Sequence, residues 1–333
     1  VEDRILMAHG AGGRLSHELV VHLINCLSTA CRNNLDDASV VPGAERLAFT
    51  TDSFVVTPLF FPGGDVGRLA VCGTVNDLAM SGATALYLSL SLIIEEGLPL
   101  VELTRVATSI REAALEARVY IVTGDTKVVP HGAADKLFIN TAGLGTVPEG
   151  INISGAFARP GDAIILSGSI GDHGTAVMAQ REGLRFSGDL SSDCAPLNNL
   201  VAAMMTVCPN IHTLRDPTRG GLATTLNEIA HQSNVNIVIE ESAVPINPPV
   251  QAMCSLLGLD PFYVANEGKL VAFVPEEKAG EVVAAMRHER YGAQAEIIGA
   301  VNAQPATRVT LRTPLGTTRV LPMLAGDLLP RIC

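Results

Sequence analysis

The chain has no tryptophan and only four tyrosines in 333 residues, and aromatic residues make up 4% of it. So few ring faces leave little material for stacking nucleic-acid bases. Charge is sparse too, at 17% of residues, and the balance is acidic, with 34 Asp and Glu against 23 Lys and Arg for a net charge of −11. That balance argues against a polyanionic backbone or an anionic membrane as the main partner. A nucleotide stays admissible, because Mg²⁺ bridges carboxylates to phosphates. No apolar run approaches the length of a membrane span and no basic-plus-apolar leader stands out, so no membrane association is expected. The seven cysteines, Cys26, Cys31, Cys72, Cys194, Cys208, Cys254 and Cys333, contain no C-x-x-C pair and no zinc-ligand spacing. That pattern speaks against a structural zinc site and for a reducing cytoplasm. Neither a Walker A loop nor G-x-G-x-x-G occurs.

What is present is a hydrophobic share of 47% with 31 glycines, the composition of compact α/β material. The length predicts two domains. Leu15, Leu19, Leu23 and Leu27 recur on one helix face. "RLAFTTDSFVV" reads as extended, "DVGRLAVCGTVNDLAMSGA" as a helix ending at Gly82, and "ALYLSLSLII" alternates as a half-buried strand. A helix over 101–117 and the strands "VYIVTGDTK" and "KLFINTAGLG" close the first half. The turn cluster "ARPGD" (158–162) opens a second series: strand "AIILSGS", helices near 174–182 and over "GGLATTLNEIAHQS", strands "VNIVIE" and "KLVAFVP", a helix over 276–291 and short strands near 296–312. Strands mix with helices in both halves, so the class is α/β or α+β. Boundaries follow at 1–150, 151–315 and 316–333, the last stretch reading as a mobile tail that ends in Cys333.

"HGAGG" (His9, Gly10, Gly12 and Gly13 with Ala11) precedes a helix and could bring backbone N–H groups to an anion. Taken alone it reads more readily as a turn. His17 and His22 lie five apart on a helix, about 140° around its axis, too far to share one metal. Asp52 in "TTDSF", Asp77 in "TVNDLAMSG" and Asp125 in "VTGDTK" all sit in apolar surroundings, where a carboxylate is costly unless it caps a helix or binds a cation. Each alone reads as a cap, whereas three in one half suit shared Mg²⁺ coordination. Lys127 offers a point charge for a phosphate, or a salt bridge. In "RDPTRGGLATTLNEIA", Asp216 and Arg219 precede a helix start that serves as a turn with a cap or as an anion site. "NEGK" is a turn carrying Glu267, a candidate acid or base.

In order, "AHGAGG", "TTDSFVVTPLFFPGGDVGRLAVCGTVNDLAMSGA", "TGDTKVV", "DKLFINTAGLG", "LSGSIGDHG", "RDPTRGGLATTLNEIA", "ANEGK" and the closing "PRIC" resemble the HypE family of hydrogenase maturation proteins. That family lies within the PurM-like (aminoimidazole-ribonucleotide synthetase) superfamily. The resemblance spans essentially the whole chain, with "PRIC" as its discriminating end. It implies a two-domain PurM-like fold whose N-terminal halves pair into a dimeric β-barrel, with nucleotide near the interface. It implies that a carbamoyltransferase, HypF, loads a carbamoyl group on Cys333. ATP then drives its dehydration to an S-cyanide, which passes to iron on the HypC–HypD scaffold of the [NiFe] centre. Carried over by motif, Asp52, Asp77 and Asp125 are Mg²⁺–ATP positions, and Asn76 and Lys127 lie beside the phosphates. Gly10, Gly12 and Gly13 loop over those phosphates, while Asp216, Arg219 and Glu267 face the cleft from the second half. Glu267 and His9 are the acid/base candidates for removing the amide protons. Superfamily rivals that act on free small molecules would leave the Cys333 thiol without a role, and selenophosphate synthetases want a reactive residue earlier than Cys26. A non-catalytic carrier of a modified thiol is the alternative from another class.

Overall fold

The computed structural model describes residues 4–10, 14–30, 41–184, 189–303, 307–324 and 332–333. After helix α1 (Arg14–Leu27), the first half comprises β1 (Leu47–Phe54), the small β2 (Phe60–Phe61) and β3 (Gly64–Asp65), α2 (Val66–Met80), β4 (Thr84–Glu95), α3 (Leu100–Ala117), β5 (Tyr120–Val129) and β6 (Leu137–Thr146). The leucines expected on one face of α1 include Leu19, Leu23 and Leu27, all buried. Asp65 starts α2 by accepting the backbone N–H groups of Gly67 and Arg68. Nearly every α2 residue is apolar or small, and the helix is buried almost all round.

Four strands form one sheet in the order β1-β6-β4-β5, antiparallel except for the β4–β5 pair. Helix α2 packs against β1, β6 and β4 on one face, and α3 packs on α2. The other face is open and carries Phe49 at 69% exposure together with exposed Leu47 and Ile93. Across that open face, Ser53, Asn140, Ser91 and Asp125 stand directly opposite one another, strand by strand. Asp52, one residue from Ser53, points to the helix side, close to Gly73 of α2.

The second half is built from β7 (Asp162–Leu166), α4 (Asp172–Arg181), α5 (Asn198–Val207), β8 (Thr213–Arg215), α6 (Gly221–Ser233), β9 (Asn236–Glu240), α7 (Pro248–Leu257), β10 (Val271–Pro275), α8 (Glu276–Arg287), β11 (Glu296–Asn302), β12 (Arg308–Arg312) and β13 (Thr318–Val320). Its seven-stranded sheet runs β13-β12-β9-β11-β7-β10-β8, with only β9 and β12 parallel. Central β7 and β10 are apolar on both faces because both faces are covered. Ile164, Leu166, Val271 and Phe273 meet α6, while Ile165, Ala272 and Val274 meet α5 and α8. The architecture is thus a mixed α/β two-domain fold. Ala79 and Met80 of α2 enter the second-half cluster, and Arg68 of α2 donates to the Cys194 carbonyl and pairs with Glu116, so the halves share a packed junction. Helix α7 opens on Pro248-Pro249, a pair that suits a first helical turn. Within the stretch assigned to a tail, residues 318–320 form an edge strand and Leu321 is buried against the second core.

Candidate active site

Three carboxylates converge where the two halves meet: Asp52 from β1, Asp77 from α2, and Asp216 just after β8. With Thr218 and Arg219 they line an open cleft of about 730 Å³ whose wall includes Arg46, Thr50, Ser81 and Arg215. The same five residues also border a smaller cavity of about 100 Å³, floored by Phe54, Gly73, Glu267 and Cys333. Thr50 Oγ1 donates to Asp77 Oδ2 at 2.8 Å, and Ser53 N donates to Asp52 Oδ1 at 2.7 Å. Burial raises the pKa of Asp52 and of Asp77, and the Asp52 charge adds to the rise at Asp77. Asp216 is pushed up to about 7 by burial and then by the Asp77 and Asp52 carboxylates. Such mutual repulsion is what a bound cation relieves. No group of three or more His, Cys, Asp or Glu among the described residues forms a ready-made metal cage. This donor set of oxygens fits Mg²⁺, which takes one or two carboxylates and fills its remaining positions with water and phosphate oxygens.

Glu267 lies in the turn before β10 and is 4% exposed. Burial, then the Asp216 and Asp193 charges, raise its carboxyl well above the usual range, and its Oε1 has no hydrogen-bond partner. Cys333 lines the same small cavity, and burial followed by the Glu267 charge raises its thiol's pKa strongly. The turn is held from three sides. Asp193 accepts the N–H groups of Glu267 and Gly268 at 3.2 Å each and pairs with Lys269 Nζ at 3.3 Å. Asn266 binds Gly171 N and Pro217 O. Gly268 must be glycine, since a Cβ there would lie 1.8 Å from the Asp193 carbonyl oxygen.

Asp52, Asp77, Asp216, Arg219, Glu267 and Cys333 are therefore brought together. Asn76 is not beside the cleft: it is buried, its Nδ2 donating to Ala195 O at 3.0 Å and Glu267 O at 3.4 Å, and its Oδ1 accepting from Leu197 N at 2.8 Å. Its amide is fully engaged by backbone, so it clamps the domain junction and leaves nothing to offer a phosphate. Asp125 and Lys127 form an exposed ion pair at 3.1 Å on the far edge strand β5, three strand spacings (about 14 Å) from β1. They line neither cavity of their own chain. His9 and Gly10 belong to the short helical turn Met7–Gly10 beside β5, with His9 Nδ1 accepting from Leu6 N. Gly12 and Gly13 lie outside the described residues.

The residues missed from sequence are His173, Ser192, Asp193 and Lys269. His173 is fully buried, its Nδ1 2.8 Å from Ser192 Oγ and its Nε2 2.9 Å from the Ile332 carbonyl oxygen. The "GDHG" and "NEGK" blocks contain two of the four, but nothing local marks their partners.

Residues 35–147 match the family described as AIR synthase related protein, N-terminal domain, and residues 159–312 match the corresponding C-terminal domain. The chain is 52% identical to carbamoyl dehydratase HypE of Cupriavidus necator, over 99% of this chain and 95% of the relative. The chain belongs to the HypE family. A crystal structure of a HypE in complex with ATP superposes with a TM-score of 0.94 at 50% identity, covering 98% of this chain and 99% of that one. A HypE–HypF complex gives 0.82 at 44% identity, covering 94% and 100%. No helix among the described residues is long and apolar enough to cross a membrane.

Proposed function

We propose that this chain, a HypE-family carbamoyl dehydratase, acts on a carbamoyl group carried by its own Cys333 and uses ATP to convert S–C(=O)NH₂ to S–C≡N, releasing ADP and phosphate. The observation that carries this reading is that Cys333 and Glu267 line one small cavity, which shares Asp52, Asp77 and Asp216 with the wall of the larger cleft. ATP with Mg²⁺ supplies the phosphoryl group that turns the amide oxygen into a leaving group. Asp52, Asp77 and Asp216 would hold the cation, and Arg219 would face the phosphates from the other domain. Buried beside the sulfur, Glu267 takes a proton from the amide nitrogen. Carrying the substrate on the chain keeps its effective concentration high at the site.

The open sheet face with Phe49, Leu47 and Ile93 supports a homodimer in which two such sheets close into a barrel. If β5 of one copy lies beside β1 of the other, the exposed Asp125–Lys127 pair stands at the edge of the partner's sheet beside β1, which gives it the phosphate role it lacks in a single chain. His9 stands on that same side, next to β5. HypF loads Cys333, as the HypE–HypF complex of a relative suggests. A HypC–HypD iron scaffold receives the cyano group, and the cytoplasm keeps the thiol reduced.

The test is mass analysis of the peptide containing Cys333 after incubation with carbamoyl phosphate, the carbamoyltransferase and ATP. An adduct that loses the mass of one water only with ATP supports the reading. Glu267→Gln should load normally but dehydrate about 10²–10⁴-fold more slowly. If no adduct forms on Cys333, the reading fails; if the adduct forms and never dehydrates, the chain is a carrier only.

A further inference from the structure

His173 takes no part in the chemistry above, yet it holds the backbone next to the reactive thiol. It sits in the first turn of α4, fully buried, with its ring edge-on to Phe61 at 5.3 Å between centroids and 88° between planes. A carbonyl oxygen can only accept, so Nε2 must carry the proton that reaches Ile332 O at 2.9 Å. Burial lowers the ring's proton affinity and keeps it neutral, so Nδ1 is the acceptor for the Ser192 hydroxyl at 2.8 Å. Ser192 is itself pinned: its Oγ accepts from Cys194 N at 3.1 Å and its N–H donates to Pro62 O at 2.8 Å. The tautomer is thereby set by a fixed partner before any chain end arrives. The Ile332 side chain, 3% exposed, joins the core cluster that contains Phe61, Val177, Cys194 and Ala265.

We propose that His173, oriented by Ser192, is the positioning residue that latches Ile332 and so seats the Cys333 sulfur against Glu267. This rests on the reading of Cys333 as the carrier of the carbamoyl group. It has a consequence for the order of events. Loading by a carbamoyltransferase needs Cys333 out of the cavity, and dehydration needs it in. The hydrogen bond from His173 and the burial of Ile332 set the balance between the two. Weakening the latch therefore acts in opposite directions on the two reactions, which damage to the fold cannot do.

The probe is N-ethylmaleimide, with labelling of Cys333 followed by peptide mass analysis and partly exposed Cys26 as internal standard. Losing one net hydrogen bond in His173→Ala should speed Cys333 labelling roughly tenfold and leave Cys26 unchanged. His173→Gln keeps an N–H donor near the position of Nε2 and should restore slow labelling; Ser192→Ala, which frees the tautomer, should fall between. With the carbamoyltransferase present, His173→Ala should load at least as fast as the unaltered protein and dehydrate in a single turnover up to about tenfold more slowly. Cys333 labelling in His173→Ala at the unaltered rate overturns the latch, as does failure of His173→Gln to rescue. Loading and dehydration falling together also overturns it. Should His173→Ala not fold, His173→Gln against Ser192→Ala gives the same comparison. Labelling does not depend on catalysis, so absence of any carbamoyl adduct would sink the functional reading while the labelling rates still decide the latch.

Discussion

Replacing Asp216 with asparagine should make the free protein more stable and the enzyme useless. Without a cation, the Asp216 carboxyl is pushed up to about 7 from its ordinary 3.8, by burial first and then by Asp77 and Asp52. Below about pH 4 the group is neutral whether the chain is folded or not, and it costs nothing. As pH climbs from there toward the folded value, only the unfolded chain gains a carboxylate, so folding becomes steadily less favourable. Above about 7 the penalty is complete. A gap of about three pH units corresponds to about 4 kcal/mol, which partial exposure of the residue cuts to roughly 2 kcal/mol. Asp216→Asn removes the charge and keeps the shape. Its Tm without nucleotide or Mg²⁺ should exceed that of the unaltered protein by roughly 4–8 °C at pH 8. The gain should shrink at pH 5. The same substitution should abolish the Tm rise that Mg²⁺–ATP gives the unaltered protein, worth about 3 kcal/mol at a hundredfold excess over Kd. Thermal melts from pH 5 to 8, with and without Mg²⁺–ATP, read both effects. A variant that melts lower at pH 8, or a gain that does not change with pH, would refute the argument from repulsion.

Three further outcomes follow from the geometry. Asn76→Ala leaves the Leu197 N–H and the Ala195 carbonyl without partners at the domain junction and should cost about 2–3 kcal/mol in stability; a melt within a degree of the unaltered protein would remove its clamping role. Gly268→Ala drives a Cβ to 1.8 Å from Asp193 O and should displace Glu267, slowing dehydration far more than it weakens ATP binding, measured separately by single turnover and calorimetry. Asp125→Asn and Asp52→Asn should each be inactive, but mixing the two as subunits should restore roughly a quarter of full activity, because half the random dimers carry one intact site of two. No recovery on mixing would mean Asp125 serves its own chain's site or none.

Periodicity carried much of the fold. The alternation of "ALYLSLSLII" and the apolar face over 101–117 fall within β4 and α3, because a half-buried strand or helix must repeat with its own geometry. The carboxylates Asp52, Asp77 and Asp125 stood out in sequence for a related reason, since an acid among apolar neighbours needs a partner, whereas Asp216 stood out only as a residue before a helix start. Local pattern could not tell Asn76 from Asp77. Adjacent on α2, they point about 100° apart, one into the domain junction and the other into the cleft. Nor could it separate Asp52 from Asp125, which look alike in sequence. Strand register sends one to the helix side and the other to the open face at the opposite edge. His173 was invisible for the strongest reason, since the carbonyl it holds is 159 residues away. Local pattern sufficed to say which segments avoid water, what acids they carry and where the Cys333 thiol sits. Tertiary structure alone decided which of those acids share a cavity and what seats the thiol among them, because such meetings depend on chain pairing across long separations that no local repeat encodes.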